Sequence, residues 1–108
     1  MSNDVAVSIA LDFSRYPAGR TREDGPLSGQ VFREDKLQPL LQAGKTVIIN
    51  LDNVLGYGSS FLEEAFGGLV RAGFSAERLH QQLRFVSNDD PSLPTEIWFY
   101  IDHVRDDA

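Results

Sequence analysis

The run TVIINL, Thr46 to Leu51, constrains the fold of this chain more than any other segment. It is continuous, apolar and mostly β-branched, and it follows Gly44. A run of that length and make-up fits a strand buried on both faces, as in a parallel sheet covered by helices. Such a strand needs further strands beside it and helical crossovers around it, and the flanking sequence carries both patterns.

Upstream, Val5, Val7, Ile9 and Leu11 alternate with Ala6, Ser8, Ala10 and Asp12, so the spacing predicts a half-buried strand over 5–12. From Gln30 the period becomes helical, with Ser28 as N-cap and Leu37, Leu40 and Leu41 on one face. Pro39 removes an N–H and crowds the carbonyl of Asp35, which predicts a kink, and Gly44 closes the helix. Downstream, Ser60 and Glu63 form an S-x-x-E capping box, which predicts a helix from Phe61 to Arg71. Its stripe is Leu62, Ala65, Phe66 and Leu69, flanked by Phe61 and Val70. Gly67 and Gly68 inside it cost about 1 kcal/mol each relative to Ala, which predicts another backbone packed close by. After Gly73, Ser75 caps a short helix over Ala76–Gln82, Leu83–Ser87 reads as a strand, and NDDPSLP reads as a turn. Pro94 opens a last helix with Ile97, Tyr100, Ile101 and Val104 at helical spacing.

Residues 13–29, FSRYPAGRTREDGPLSG, have no regular period and are rich in Pro and Gly. A loop that long in a small domain is unusual, and a short strand or hairpin inside it would divide it into ordinary turns. The alternation of strands and helices predicts an α/β fold with parallel pairs and right-handed crossovers, its strand order left open. The expectation is a single domain over 1–108, with a mixed sheet of about four strands and three to four helices.

Composition narrows the function. A formal net charge of -6 repels phosphate backbones and anionic headgroups, which argues against nucleic-acid and membrane partners. Without cysteine there is no disulfide framework and no thiolate metal site. MSNDVAVS shows no basic region followed by an apolar run, and no apolar stretch reaches the roughly 20 residues of a membrane helix, so a cytoplasmic location is expected. His80 and His103 fit no ligand spacing, and Asp89-Asp90 reads as part of a turn. GYGSSF is not G-x-S-x-G, no P-loop lysine follows the glycines, and no G-x-G-x-x-G opens a helix. No catalytic residue, metal or cofactor is therefore expected.

One turn stands out. Gly56, Tyr57, Gly58, Ser59 and Ser60 lead from the buried strand into a helix N-terminus, where unpaired N–H groups and the helix dipole favour an anion. Two roles for Ser60, not exclusive, follow: a helix cap, or a phosphoryl acceptor beside the repelling Glu63 and Glu64. Arg15, Arg20, Arg22 and Arg33 lie in or just after the long loop, where they either gather at that turn to bind phosphate or pair with Glu23, Asp24, Glu34 and Asp35. Tyr16 and Tyr57, in loops, are candidates for a partner surface, whereas Phe61 and Phe66 belong to the core.

The runs YPAGR, DGPLSGQVFRE and LDNVLGYGSSFLEEAFGGLVR resemble, over about residues 13–71, the STAS-like family of unknown function found in prokaryotes. More broadly the chain is similar to STAS domains, the fold of anti-sigma-factor antagonists and of sulfate-transporter tails. In those antagonists a buried strand leads into a D-S-S-G turn whose second serine is phosphorylated by a histidine-kinase-type ATPase, and the phosphate switches partner binding. The resemblance makes Ser59 and Ser60 the two serines, Ser60 the acceptor and a histidine-kinase-type ATPase the partner, with no intrinsic catalysis. Two positions depart from it. Gly58 stands where the antagonists have the aspartate, and Phe61, in place of the glycine, puts bulk where a kinase would approach. The rival reading is a small-ligand or nucleotide-phosphate-binding protein that uses the same turn and arginines. Homodimerisation is compatible with either.

Overall fold

Three parallel strands in the order β1-β2-β3 form the sheet: β1 (Asp4–Ser8), β2 (Thr46–Asn50) and β3 (Leu83–Val86). The computed structural model describes residues 3–104, so the ends of the expected 1–108 domain lie outside the described residues. Val5, Val47 and Leu83 stand in one register row and Val7, Ile49 and Phe85 in another. These rows face the helices, with Val7, Val47, Ile49 and Leu83 buried. On the opposite face Asp4, Ala6, Arg84 and Val86 are exposed, and Ser8, Thr46, Ile48 and Asn50 are half-exposed. β2 is thus fully buried on one face only, not on both, because the helices gather on one side.

Among the described residues there are five helices: α1 (Ile9–Asp12), α2 (29–42), α3 (59–71), α4 (Ala76–Gln82) and α5 (Leu93–Asp102). The expected fourth strand is absent among the described residues. In the long loop Ala18 donates to the Leu27 carbonyl and Gly29 to that of Gly19, while Arg22–Asp24 form a single 3-10 turn. These contacts fold the segment on itself and add nothing to the ladder, so the sheet is wholly parallel rather than mixed. β1 is also shorter than its alternation predicts. The Ser8 side chain accepts from Leu11 N and the Ser8 N–H donates to Asp12 Oδ2. Those two bonds cap α1 and end the strand, leaving Leu11 87% exposed.

Helix punctuation follows the sequence closely elsewhere. Ser28 and Ser75 cap α2 and α4 through Val31 N and Arg78 N. Gly44 and Gly73, both at positive φ, each follow a helix. There Gly44 N donates to Leu41 O and Lys45 N to Leu40 O, with the same pairing of Gly73 to Val70 and Phe74 to Leu69. Pro39 acts differently from a simple kink. The turn before it, Arg33–Leu37, widens to π geometry, with Gln38 N bonding Arg33 O, which gives the proline ring room. A matching wide turn, Glu63–Gly67, interrupts α3.

The two wide turns meet. A Cβ on Gly29 would stand 2.5 Å from the Phe61 carbonyl oxygen, so the first turns of α2 and α3 touch backbone to backbone. Gly67 faces the Tyr100 carbonyl of α5 and the Glu63 carboxylate, whereas Gly68 lies under the Arg33 guanidinium. Close approach thus accounts for both glycines, although a side chain rather than a backbone covers Gly68. Phe32, Phe61 and Phe66 are fully buried, with Phe32 6.1 Å from Phe61 and 6.3 Å from Phe66 between ring centres. They join Leu37, Leu41, Leu62, Leu69, Leu79 and Ile97 in one core.

Candidate functional site

The carboxyl ends of β2 and β3 carry the turns that build the site, the usual location for binding in open α/β sheets. Leu51 N donates to Val86 O, and beyond that bond the chains diverge. Asp52, 8% exposed, then holds them together, its carboxylate accepting from Asn88 N, Asn88 Nδ2 and Asp89 N at 2.7–2.9 Å. The Asp89 amide first, and then Asn88, keep its carboxyl below the usual range, against the opposing pull of desolvation. In return Asp89 Oδ2 accepts from Asn53 N, and Asn53 takes the left-handed conformation that turns the chain away from β2. The sequence signal for Asp52 is only its place, an aspartate just after a buried strand, where a side chain can pin a turn.

The Gly56–Ser60 turn follows, and its serines are not caps. Gly58 is the N-cap of α3, Leu62 N bonds its carbonyl, and no side chain caps that end. Ser59 and Ser60 are the first two residues of the helix, both exposed. The expected capping box fails because Glu63 has stronger partners. Arg71 bonds its carboxylate with both nitrogens, at 2.7 and 3.0 Å, and Arg20 Nη1 reaches it at 2.5 Å. Paired charges of this kind outweigh one backbone N–H bond. Arg71, then Arg20, hold the Glu63 carboxyl below its ordinary range despite desolvation.

Tyr57 belongs to the turn but faces inward. Half-buried, it packs 6.2 Å from Phe61 and donates its hydroxyl to Leu51 O at 2.8 Å. Burial, and secondarily Asp52, push its hydroxyl pKa upward. It therefore supports the turn from within, its hydroxyl anchored on the Leu51 carbonyl. Tyr16 is 61% exposed and lies near Leu55, 69% exposed, because Leu55 N donates to Arg15 O. The only sequence mark of Leu55 is its place in the apolar pair Val54-Leu55 between Asn53 and Gly56.

The loop arginines reach the site without forming a phosphate cradle. Arg15 Nε donates to Asn53 O, and Arg20 bonds Glu63 and, at 3.5 Å, Glu64. Arg22 pairs with Glu34 and Asp35. Arg33 is a partner-loop residue only by sequence position. It is 8% exposed and spans α2 and α3, with Nη2 on Glu64 Oε2, Nε on the Glu64 carbonyl and Nη1 on Gln38. Its spacing, four residues after Gly29 and four before Leu37, placed it on the buried stripe.

The lowered carboxyls set a pH dependence. The folded pKa of Asp52, Glu63, Glu34 and Asp24 lies below the unfolded value, so each group's contribution is present above the unfolded pKa and is lost as pH falls through the folded one. Thermal unfolding followed by circular dichroism is expected to give a level melting temperature from about pH 7 to about pH 5, and a steep fall below about pH 4. A melting temperature unchanged at pH 3 would contradict these assignments.

No helix among the described residues is long and apolar enough to cross a membrane, and no group of three or more His, Asp or Glu among them is arranged to hold a metal ion. A one-sided parallel sheet, crossover helices and an exposed serine turn at the sheet's carboxyl edge define a two-layer α/β domain. The chain belongs to the family of STAS-like domains of unknown function (DUF4325), whose model matches residues 28–93. The matched segment runs from the α2 cap Ser28 to the first residue of α5, Leu93, and takes in the Gly56–Ser60 turn. No curated protein and no solved structure matches the chain.

Proposed function

We propose that this protein is a non-catalytic cytoplasmic regulatory module that docks a partner protein through the Gly56–Ser60 turn, with phosphorylation of Ser60 or Ser59 as the switch. The observation that carries the reading is the placement of the two serines. Both stand exposed in the first turn of α3, neither caps it, and exposed Tyr16 and Leu55 lie at the same edge. A phosphoryl group there gains from the helix dipole and adds close to two negative charges to the face. Glu63 and Glu64 oppose it less than their positions imply, because Arg20, Arg33 and Arg71 pair with them. Phe61 does not obstruct a kinase either: it is 1% exposed, its bulk turned into the core beside Phe32. Similarity to the anti-sigma-factor antagonists puts a histidine-kinase-type ATPase first among partners. The nucleotide-phosphate alternative has less support, since Arg20, Arg22 and Arg33 are paired with carboxylates and Arg15 is bound to a carbonyl.

Intact-mass spectrometry of the protein from its native host, with fragmentation across 56–71, is the direct test. A gain of about 80 Da on Ser59 or Ser60 is expected in some growth conditions. Ser60→Asp is expected to change affinity for the co-purifying partner by about tenfold, the size of one strong charge–charge contact. An unmodified mass in every condition, together with equal binding by Ser60→Asp, would overturn the reading.

A further inference from the structure

A cleft of about 310 Å³ opens between the 51–57 turn and the start of α5. Leu51, Val54, Tyr57 and Leu93 are among its apolar lining residues, and Asp89, Asp90 and Glu96 supply its carboxylates. No basic residue lines it. One oxygen of each carboxylate is held: Asp89 Oδ2 accepts from Asn53 N, Asp90 Oδ1 from both Ser92 N and Ser92 Oγ, and Glu96 Oε2 from the Tyr100 hydroxyl. The second oxygen of each takes no hydrogen bond among the described residues. The bond to Glu96 pushes the Tyr100 hydroxyl up to about 12, so Tyr100 stays a donor. The cleft thus joins an apolar slot to three carboxylates, each with one oxygen left open to a donor.

We infer that this cleft receives an arginine side chain from an exposed segment of the partner protein, its stem against Tyr57 and Leu93 and its guanidinium on Asp89, Asp90 and Glu96. The inference rests on the docking reading above and names the partner's chemistry. Charge complementarity commits it to a cation, and the slot of limited volume favours a long stem with a planar head. Arginine is also a common energetic anchor at protein interfaces. The sign matters: a phosphoryl group on Ser60 would sit within the same turn system as an arginine-binding cleft. Added negative charge there should strengthen the contact, so the modification would raise affinity.

The test is NMR on the full 15N-labelled chain, titrated with two end-blocked Gly-Arg-Gly peptides, one carrying arginine and the other its neutral isostere citrulline. Saturating amide shifts confined to 53–57 and 89–96 are expected with arginine and none with citrulline. Glu96→Gln, which keeps the Tyr100 bond, should weaken arginine binding about fivefold, and Asp90→Asn likewise. Shifts spread over the whole acidic surface without saturation, or equal response to citrulline, would overturn the inference, and neither result depends on a variant that must fold. Partner capture separates the two proposals. Capture sensitive to Ser60→Asp but untouched by Glu96→Gln with Asp90→Asn overturns the cleft alone. Arginine-peptide binding with an unmodified serine turn and no Ser60→Asp effect overturns the switch alone.

Discussion

Arg33→Met is expected to lower stability by about 3 kcal/mol, a fall in melting temperature on the order of 15 °C for a domain this size. Arg33 and Glu64 carry side chains only 9% and 14% exposed and meet at 2.9 Å between the wide turns of α2 and α3. Coulombic attraction there is offset by desolvation, so the intact pair adds little net stability, but removing one member leaves a partly buried charge with fewer donors. Methionine preserves most of the stem over Gly68, so the loss reports the guanidinium and not a void. Glu64 keeps two contacts at 3.5 Å, from Arg20 and Arg71, which places the cost at the lower end of the usual range. Arg33→Met with Glu64→Gln should recover more than 1 kcal/mol, because the orphaned charge is then gone. Urea unfolding of the wild type, both singles and the double completes the cycle. A single Arg33→Met within about 0.5 kcal/mol of wild type would mean the pair is screened by water.

Such a variant also probes the link to function. Glu64 lies in the turn that follows Ser59 and Ser60, so the ion pair fixes the α3 start against α2. Arg33 is therefore a scaffold for the serine turn and not a contact for a partner, although its position just after the long loop invited the second reading.

The legible parts of the sequence were those governed by local rules. Three strands, the stripes of α2, α3 and α5, the serine caps at Ser28 and Ser75 and the glycine stops at Gly44 and Gly73 all follow from residue type and period. What escaped was decided by competition between partners far apart in sequence. Glu63 reads as a cap until Arg71 and Arg20 come within reach. Leu11 reads as the end of a strand until Ser8 and Asp12 close a helical turn across it. The π turns carry no sequence signature beyond Pro39, and the one-sided sheet cannot be told from TVIINL alone, because Thr46, Ile48 and Asn50 suit a half-covered face as well as a buried one. At the site, the strand-to-helix turn with its two serines was legible, whereas the sequence left open whether the arginines gather there or pair with carboxylates. The sign of the charge around the turn was not legible, since it depends on which carboxylates those arginines meet.

Gly29→Ala is expected to destabilise the protein by about 2–3 kcal/mol, opposite in sign to helix propensity, which favours Ala over Gly by about 1 kcal/mol. The new methyl would stand 2.5 Å from the Phe61 carbonyl oxygen and 3.0 Å from both Ala65 N and Glu64 Cβ. Backbone atoms cannot swing aside as a side-chain tip can, so α2 and α3 must separate or tilt. Gly29 cannot retreat freely, because its own N–H is bound to Gly19 O. The displaced carbonyl belongs to the same first turn as Ser59 and Ser60, so their amide resonances should shift together with a melting temperature about 10 °C lower. Gly56→Ala is the matched control, with ordinary backbone and no atom within 4 Å of the added methyl, and should change stability by no more than about 0.5 kcal/mol. If Gly29→Ala instead raised the melting temperature, propensity alone would be acting. The helices would then not touch at this crossing, and the serine turn would have no rigid base from which to present a phosphoryl group.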